Sequence, residues 1–85
     1  MRYYFDIDSG QRAIRDQIGS EFARPEDVRA AAIRVLPDIA RDEWPDGDCP
    51  VMIVKVRDQK GSYVFQASLS LVATWLNGVT DDERR

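Results

Sequence analysis

Hydrophobic positions along the chain switch from a period of two to a helical period and back again. The opening RYYFDID alternates as a half-buried strand, with Tyr3, Phe5 and Ile7 on one face and Arg2, Tyr4, Asp6 and Asp8 on the other. Ser9 and Gly10 supply a two-residue turn, which pairs Phe5 with Ile14 and Ile7 with Arg12 and keeps Ile14 on the apolar face. The second strand, about residues 11–16, is polar and suits a sheet edge. Gly19 marks a further bend, and Phe22 packs as the chain enters its longest periodic stretch.

That stretch, residues 24–44, predicts one amphipathic helix. At about 100° per residue, Val28, Ala32, Val35, Leu36 and Ile39 form a stripe with Ala31 at its edge, and Arg34, Asp38, Arg41 and Asp42 lie roughly opposite. Pro25 suits the first turn, and Glu26 and Asp27 follow at the positive end of the macrodipole. Arg24 is a poor N-cap residue. Pro37 removes an N–H and crowds the Ile33 carbonyl on the side away from the core, so the expectation is one helix kinked at Pro37. A second apolar line, Ile33, Pro37, Ala40 and Trp44, is offset from the core stripe. Either the chain's own C-terminal segment covers it, or a second subunit or partner does, or distortion at Pro37 shifts the angles.

Pro45, Asp46, Gly47, Asp48 and Pro50 make a loop of strong breakers. Period two then returns. Residues 51–57 place Met52, Val54 and Val56 on one face, and residues 63–72 place Tyr63, Phe65, Ala67, Leu69 and Leu71 inward. The connecting residues 58–61 begin with Asp and end with Gly, as a type I turn prefers. A turn of that length pairs Val56 with Tyr63, Val54 with Phe65 and Met52 with Ala67. Alternation continues through Ala73, Trp75 and Leu76, beyond what the other strands can match. The predicted fold is α+β in the order β-β-α-β-β: a four-stranded sheet with the helix on one face. Strands two and three run parallel to each other, and strands one and four occupy the centre. Residues 1–76 form the domain, and residues 77–85 form a frayed tail.

Composition narrows the chemistry. A length of 85 residues makes one domain with a thin core. Net charge −3 argues against a non-specific nucleic-acid binder. Cys49 is the sole cysteine and histidine is absent, which excludes an internal disulfide, structural zinc and a histidine-activated nucleophile. Asp6, Asp8 and Gly10 faintly echo a calcium loop, but the glycine comes one residue early and no closing glutamate follows. Asp6, Asp8 and Asp16, like Asp46 and Asp48, are read as turn-forming and solubilising carboxylates. No metal or cofactor is expected. No segment resembles a signal peptide or reaches membrane-spanning length, so the expected setting is cytoplasmic.

Three pieces carry a resemblance: RYYFDID with its glycine turn; Asp16, Gln17, Ile18, Gly19, Ser20 and Glu21 before the helix; and Ala40, Arg41, Asp42 and Glu43 at the helix end, followed by a V-R-D-x-x-G hairpin from Val56 to Gly61. On these the chain resembles a family of small uncharacterised alphaproteobacterial domains, over nearly the whole length up to Leu71. The resemblance implies a bacterial cytoplasmic protein with no assigned activity, so no functional residues carry over. Pro37, Arg24 and the tail after Leu71 depart from the pattern.

The surplus apolar residues Ile33, Ala40, Trp44, Trp75 and Leu76 point to an interaction surface. The functional expectation is a non-enzymatic interaction or accessory module that self-associates as a homodimer. The alternative is weak single-stranded nucleic-acid binding through Tyr4, Lys55 and Arg57 on the outer sheet face.

Overall fold

A computed structural model describes residues 1–10, 12–43 and 51–78. Strand β1 (Arg2–Asp8) is followed by β2 (Ala13–Ile14), β3 (Ser20–Glu21), helix α1 (Pro25–Glu43), β4 (Val51–Arg57) and β5 (Tyr63–Ser70). The sheet order is β2-β1-β4-β5, with β3 also paired to β1 and every pairing antiparallel. The α+β architecture matches expectation, and β2 and β4 point the same way. The strand order does not: β1 and β4 form the centre and β5 lies at an edge. Alternation tells which face a residue occupies, not which strand is flanked on both sides. Burial makes the distinction. Met52, Val54 and Val56 of β4 are sealed, whereas Phe65, Ala67 and Leu69 of β5 are only half-buried.

Helix α1 packs across β4 and β5. Val28, Ala32 and Leu36 are buried against Met52, Val54 and Val56, with Val35, Ile39 and Ala40 at the rim beside Tyr3, Phe5, Ile7 and Phe22. The helix runs unbroken through Pro37, which is exposed. Pro37 lies on the solvent side of the helix, where the carbonyl that its missing N–H leaves free is open to water rather than sealed in the core. At its start the Asp27 N–H donates to the Arg24 carbonyl at 3.1 Å, and the Arg24 guanidinium pairs with the Asp27 carboxylate at 3.2 Å.

Both hairpins keep the expected face but shift by two residues. Ile7 faces Ile14, so the connection is longer than a two-residue turn, and the Ser9 N–H donates to the Arg12 carbonyl at 3.0 Å. Val56 faces Phe65, Val54 faces Ala67 and Met52 faces Leu69. The Asp58 turn forms, with the Gly61 N–H donating to the Asp58 carbonyl at 3.1 Å and Gly61 at φ 90°. Arg57 faces Tyr63 across a bulge that leaves Val64 unpaired. This extra residue turns Tyr63 onto the outer face, contrary to the inward placement that strict alternation predicts.

Candidate functional site

The two edges of the sheet hold the molecule's distinctive features. On the β1 side the edge strand is broken. β2 pairs with Ile7 and Asp8, β3 pairs with Arg2 and Tyr3, and the chain leaves the sheet between them. Asp16 fills the interval. Its carboxylate accepts the Phe5 N–H at 3.1 Å, and its own N–H donates to the Asp6 carboxylate at 3.0 Å. The other Asp16 oxygen accepts the N–H groups of Ile18 and Gly19, both at 3.0 Å. A side chain thus completes the ladder where a strand is missing.

Arg57 holds this plug from beneath. Its guanidinium grips Asp6 at 2.7 and 3.1 Å, donates to the Asp16 carbonyl, and stacks on the Tyr4 ring at 4.8 Å from the centroid. Tyr63, re-aimed by the bulge, donates its hydroxyl to Asp6 at 3.0 Å, and Lys55 lies over its ring at 5.7 Å. Burial pushes the Asp6 carboxyl up, but Arg57, the Asp16 N–H and the Tyr63 hydroxyl outweigh it and hold the group below its ordinary value. Burial likewise raises Asp16, and the N–H groups of Gly19, Phe5 and Ile18, with the Arg57 charge, bring it below the ordinary value. The Asp6 hydrogen bond holds the Arg57 guanidinium still more firmly in its charged form.

This network is occupied by its own members. Both Asp6 oxygens and both Asp16 oxygens accept hydrogen bonds from the protein, and Asp8 accepts the Gly10 N–H at 2.8 Å as a turn residue. Among the described residues no group of three or more His, Cys, Asp or Glu side chains is arranged to hold a metal. The arrangement does structural chemistry: it closes an edge.

The β5 edge is built the other way. Among the described residues no strand pairs with its outer side. Its eight residues, YVFQASLS, contain no charge and no proline, and no charged residue stands between Lys60 and Asp81. Natural edges are guarded by charge, proline, short strands or covering elements; apart from the bulge at Val64, β5 has none of these among the described residues. Of the residues expected to form the apolar surface, Ile33, Trp75 and Leu76 are 42%, 51% and 74% exposed. Ala40 is half-buried and packs against the core. Trp44 lies outside the described residues, as do Asp46, Asp48 and Cys49. Residues 71–78, which follow β5, form no strand or helix and are exposed. The β5 edge itself was missed in sequence, where its apolar run suggested a central strand. The uncharged interval after Lys60 was the available signal.

Residues 2–70 match a family defined as a domain of unknown function, DUF6894. The chain belongs to this family. The matched DUF6894 region covers every strand and the helix and stops where β5 ends, leaving Trp75 and Leu76 outside it. No curated protein and no solved structure matches the chain. No described helix is long and apolar enough to cross a membrane.

Proposed function

We propose that this DUF6894 protein is a small non-enzymatic interaction module of the bacterial cytoplasm that self-associates as a homodimer. The observation that carries this reading is the β5 edge, with which no strand pairs among the described residues, flanked by exposed apolar residues at Leu71, Val72, Trp75 and Leu76. An unguarded edge next to such a patch is a template for another chain. The polar cluster supports the same reading from the other direction, since its ionised groups serve one another and leave no group poised for acid–base or nucleophilic work. Sedimentation velocity over a wide concentration range tests the proposal. A dimer at micromolar concentration is expected, and a strict monomer that stays soluble at high concentration overturns it.

Single-stranded nucleic-acid binding through the outer face has less support. Arg57 is engaged by Asp6 and covers the Tyr4 ring, so the cation and the aromatic face that such binding requires already serve each other. Titration of labelled oligonucleotides at low salt, where phosphate contacts are strongest, checks this directly, with no binding expected.

A further inference from the structure

We infer that the partner at β5 is a second copy of this chain, joined antiparallel about a two-fold axis at Ala67, so that two sheets become one continuous sheet with the two α1 helices packed side by side above the seam. This rests on the self-association proposed above and specifies its surface and register.

Parity selects the register. Phe65, Ala67 and Leu69 face the helix, and Gln66, Ser68 and Ser70 face away. A two-fold pairing must set inward residues opposite inward residues. Centring on Ala67 pairs Phe65 with Leu69 of the partner subunit, Ala67 with Ala67 of the partner subunit, and Gln66 with Ser68 of the partner subunit. Centring on Gln66 sets inward Leu69 against Tyr63 of the partner subunit, which the bulge has turned outward. Centring on Ser68 sets Phe65 against Leu71 of the partner subunit, beyond the end of the strand. Ala67 is therefore the register that pairs the two large inward residues of β5, Phe65 and Leu69, with each other and keeps them clear of the bulge and of the strand end, giving a large–small–large apolar row on the helix side.

The helix supplies an independent reason. α1 packs on both β4 and β5, and Pro25 and Arg29 share a cavity of about 260 Å³ with Val64 and Phe65. The first turns of the helix therefore stand over the start of β5. Ile33 is one turn beyond Arg29, and it is the large apolar residue the helix leaves exposed. Strands are about 4.8 Å apart, so a helix centred over β4 and β5 lies about 10 Å from its two-fold mate. That is the distance at which helices pack. Pairing the edges thus sets two helices, each with an exposed Ile33, side by side. Neither contact surface carries a charge on β5, so the net charge of −3 per chain does not oppose the seam directly.

Cysteine placement tests the register in the full chain carrying Cys49→Ser. Paired residues on neighbouring antiparallel strands have Cα atoms about 4.5–5.5 Å apart, within disulfide reach. Under mild oxidation Ala67→Cys should give a covalent dimer in high yield. Ser70→Cys should not, because its two copies are offset by about 20 Å along the strands. Amide hydrogen exchange of the chain without added cysteines gives a second readout: β5 amides should slow as the concentration is raised through the dimer transition. A dimer that links at Ser70→Cys, or fails to link at Ala67→Cys, overturns the register while leaving self-association intact. A dimer whose β5 amides exchange equally fast at all concentrations overturns the edge. A monomer at every concentration removes the proposed function and this inference together.

Discussion

Along β1, the outer edge is divided between two strands of two residues each, with Asp16 bridging the interval; along β5, eight residues run without charge or proline. Both edges belong to one sheet of one small domain, and both present backbone that must find partners. The first finds them within the chain, through a carboxylate and a glycine-lined loop held by Arg57. The second has no partner among the described residues. The contrast teaches that edge closure is a local choice. Among the described residues three ionised groups, Asp6, Asp16 and Arg57, gather at one edge and β5 carries none, so the first edge is sealed and no described strand pairs with the second.

The largest expected effect comes from breaking the sealed edge at Gly19. Its φ is +76°, and an added Cβ would lie 2.8 Å from the Tyr4 ring, 2.9 Å from the Arg2 side chain and 3.0 Å from the Tyr3 carbonyl. The strand carbonyl cannot move aside as a flexible side chain can. Gly19→Ala should cost roughly 3 kcal/mol, combining left-handed strain with overpacking. Urea denaturation measures it. A loss below about 0.5 kcal/mol would mean the loop is not held against β1 as described.

Removing the plug itself should cost somewhat less. Asp16→Ala leaves the Phe5, Ile18 and Gly19 N–H groups without their acceptor, and about 2 kcal/mol is expected, since water reaches part of the loop. Acid probes the same groups without mutation. Asp6 and Asp16 have folded-state values below the ordinary carboxyl value of 3.8. Their contribution is therefore complete above the unfolded value and is lost as pH falls through the depressed folded ones. Urea midpoints should hold from neutral pH down to about 4 and decline below it. The decline should be shallower in Asp16→Ala.

How much of this contrast was legible in the sequence differs between the edges. The alternation of Tyr3, Phe5 and Ile7, and of Met52, Val54 and Val56, identified core-facing residues correctly because burial on one face imposes period two. The stripe from Val28 to Ile39 located the helix and its buried side for the corresponding reason. The break between β2 and β3 left no periodic trace, since strands of two residues are shorter than any period they could show. Asp16 read as a solvated carboxylate, because its partners are backbone N–H groups that only the fold brings near. The sequence places β5 at the centre because its apolar content suggests central burial, while in the fold its inner residues are only half-buried. Tyr63 was assigned inward because a single extra residue reverses parity, and nothing local in the sequence announces the bulge.

Guarding the open edge should sharpen the comparison with a smaller effect. Gln66→Glu combined with Ser68→Glu places like charges opposite each other twice across a two-fold at Ala67, while within each chain the new carboxylate at position 66 would face Lys55. Each pair costs up to about 1 kcal/mol, so the dimer should weaken about tenfold. Both positions face away from the helix, so circular dichroism and monomer stability should change little. An unaltered dimer after this change would locate the association elsewhere on the molecule, and Ile33→Ser would then be the next variant to sediment.

The smallest effect is expected at the bulge. Tyr63 sits on β5, the open edge, yet its hydroxyl reaches across to Asp6 beside the closed one. Tyr63→Phe keeps the ring under Lys55 and removes only that donor. The side chain is 55% exposed, so water partly replaces the lost bond and the cost should be about 0.5–1 kcal/mol. Its direction under acid is more telling than its size. The hydroxyl helps to lower the Asp6 pKa, so its loss moves the folded value towards 3.8, and the stability lost in acid becomes smaller and complete at a higher pH. If Tyr63→Phe left the acid limb unchanged, the tyrosine would not contribute to the Asp6–Arg57 pair. The bulge would then serve only the open edge, by keeping Val64 out of the ladder, and the two edges would be energetically independent.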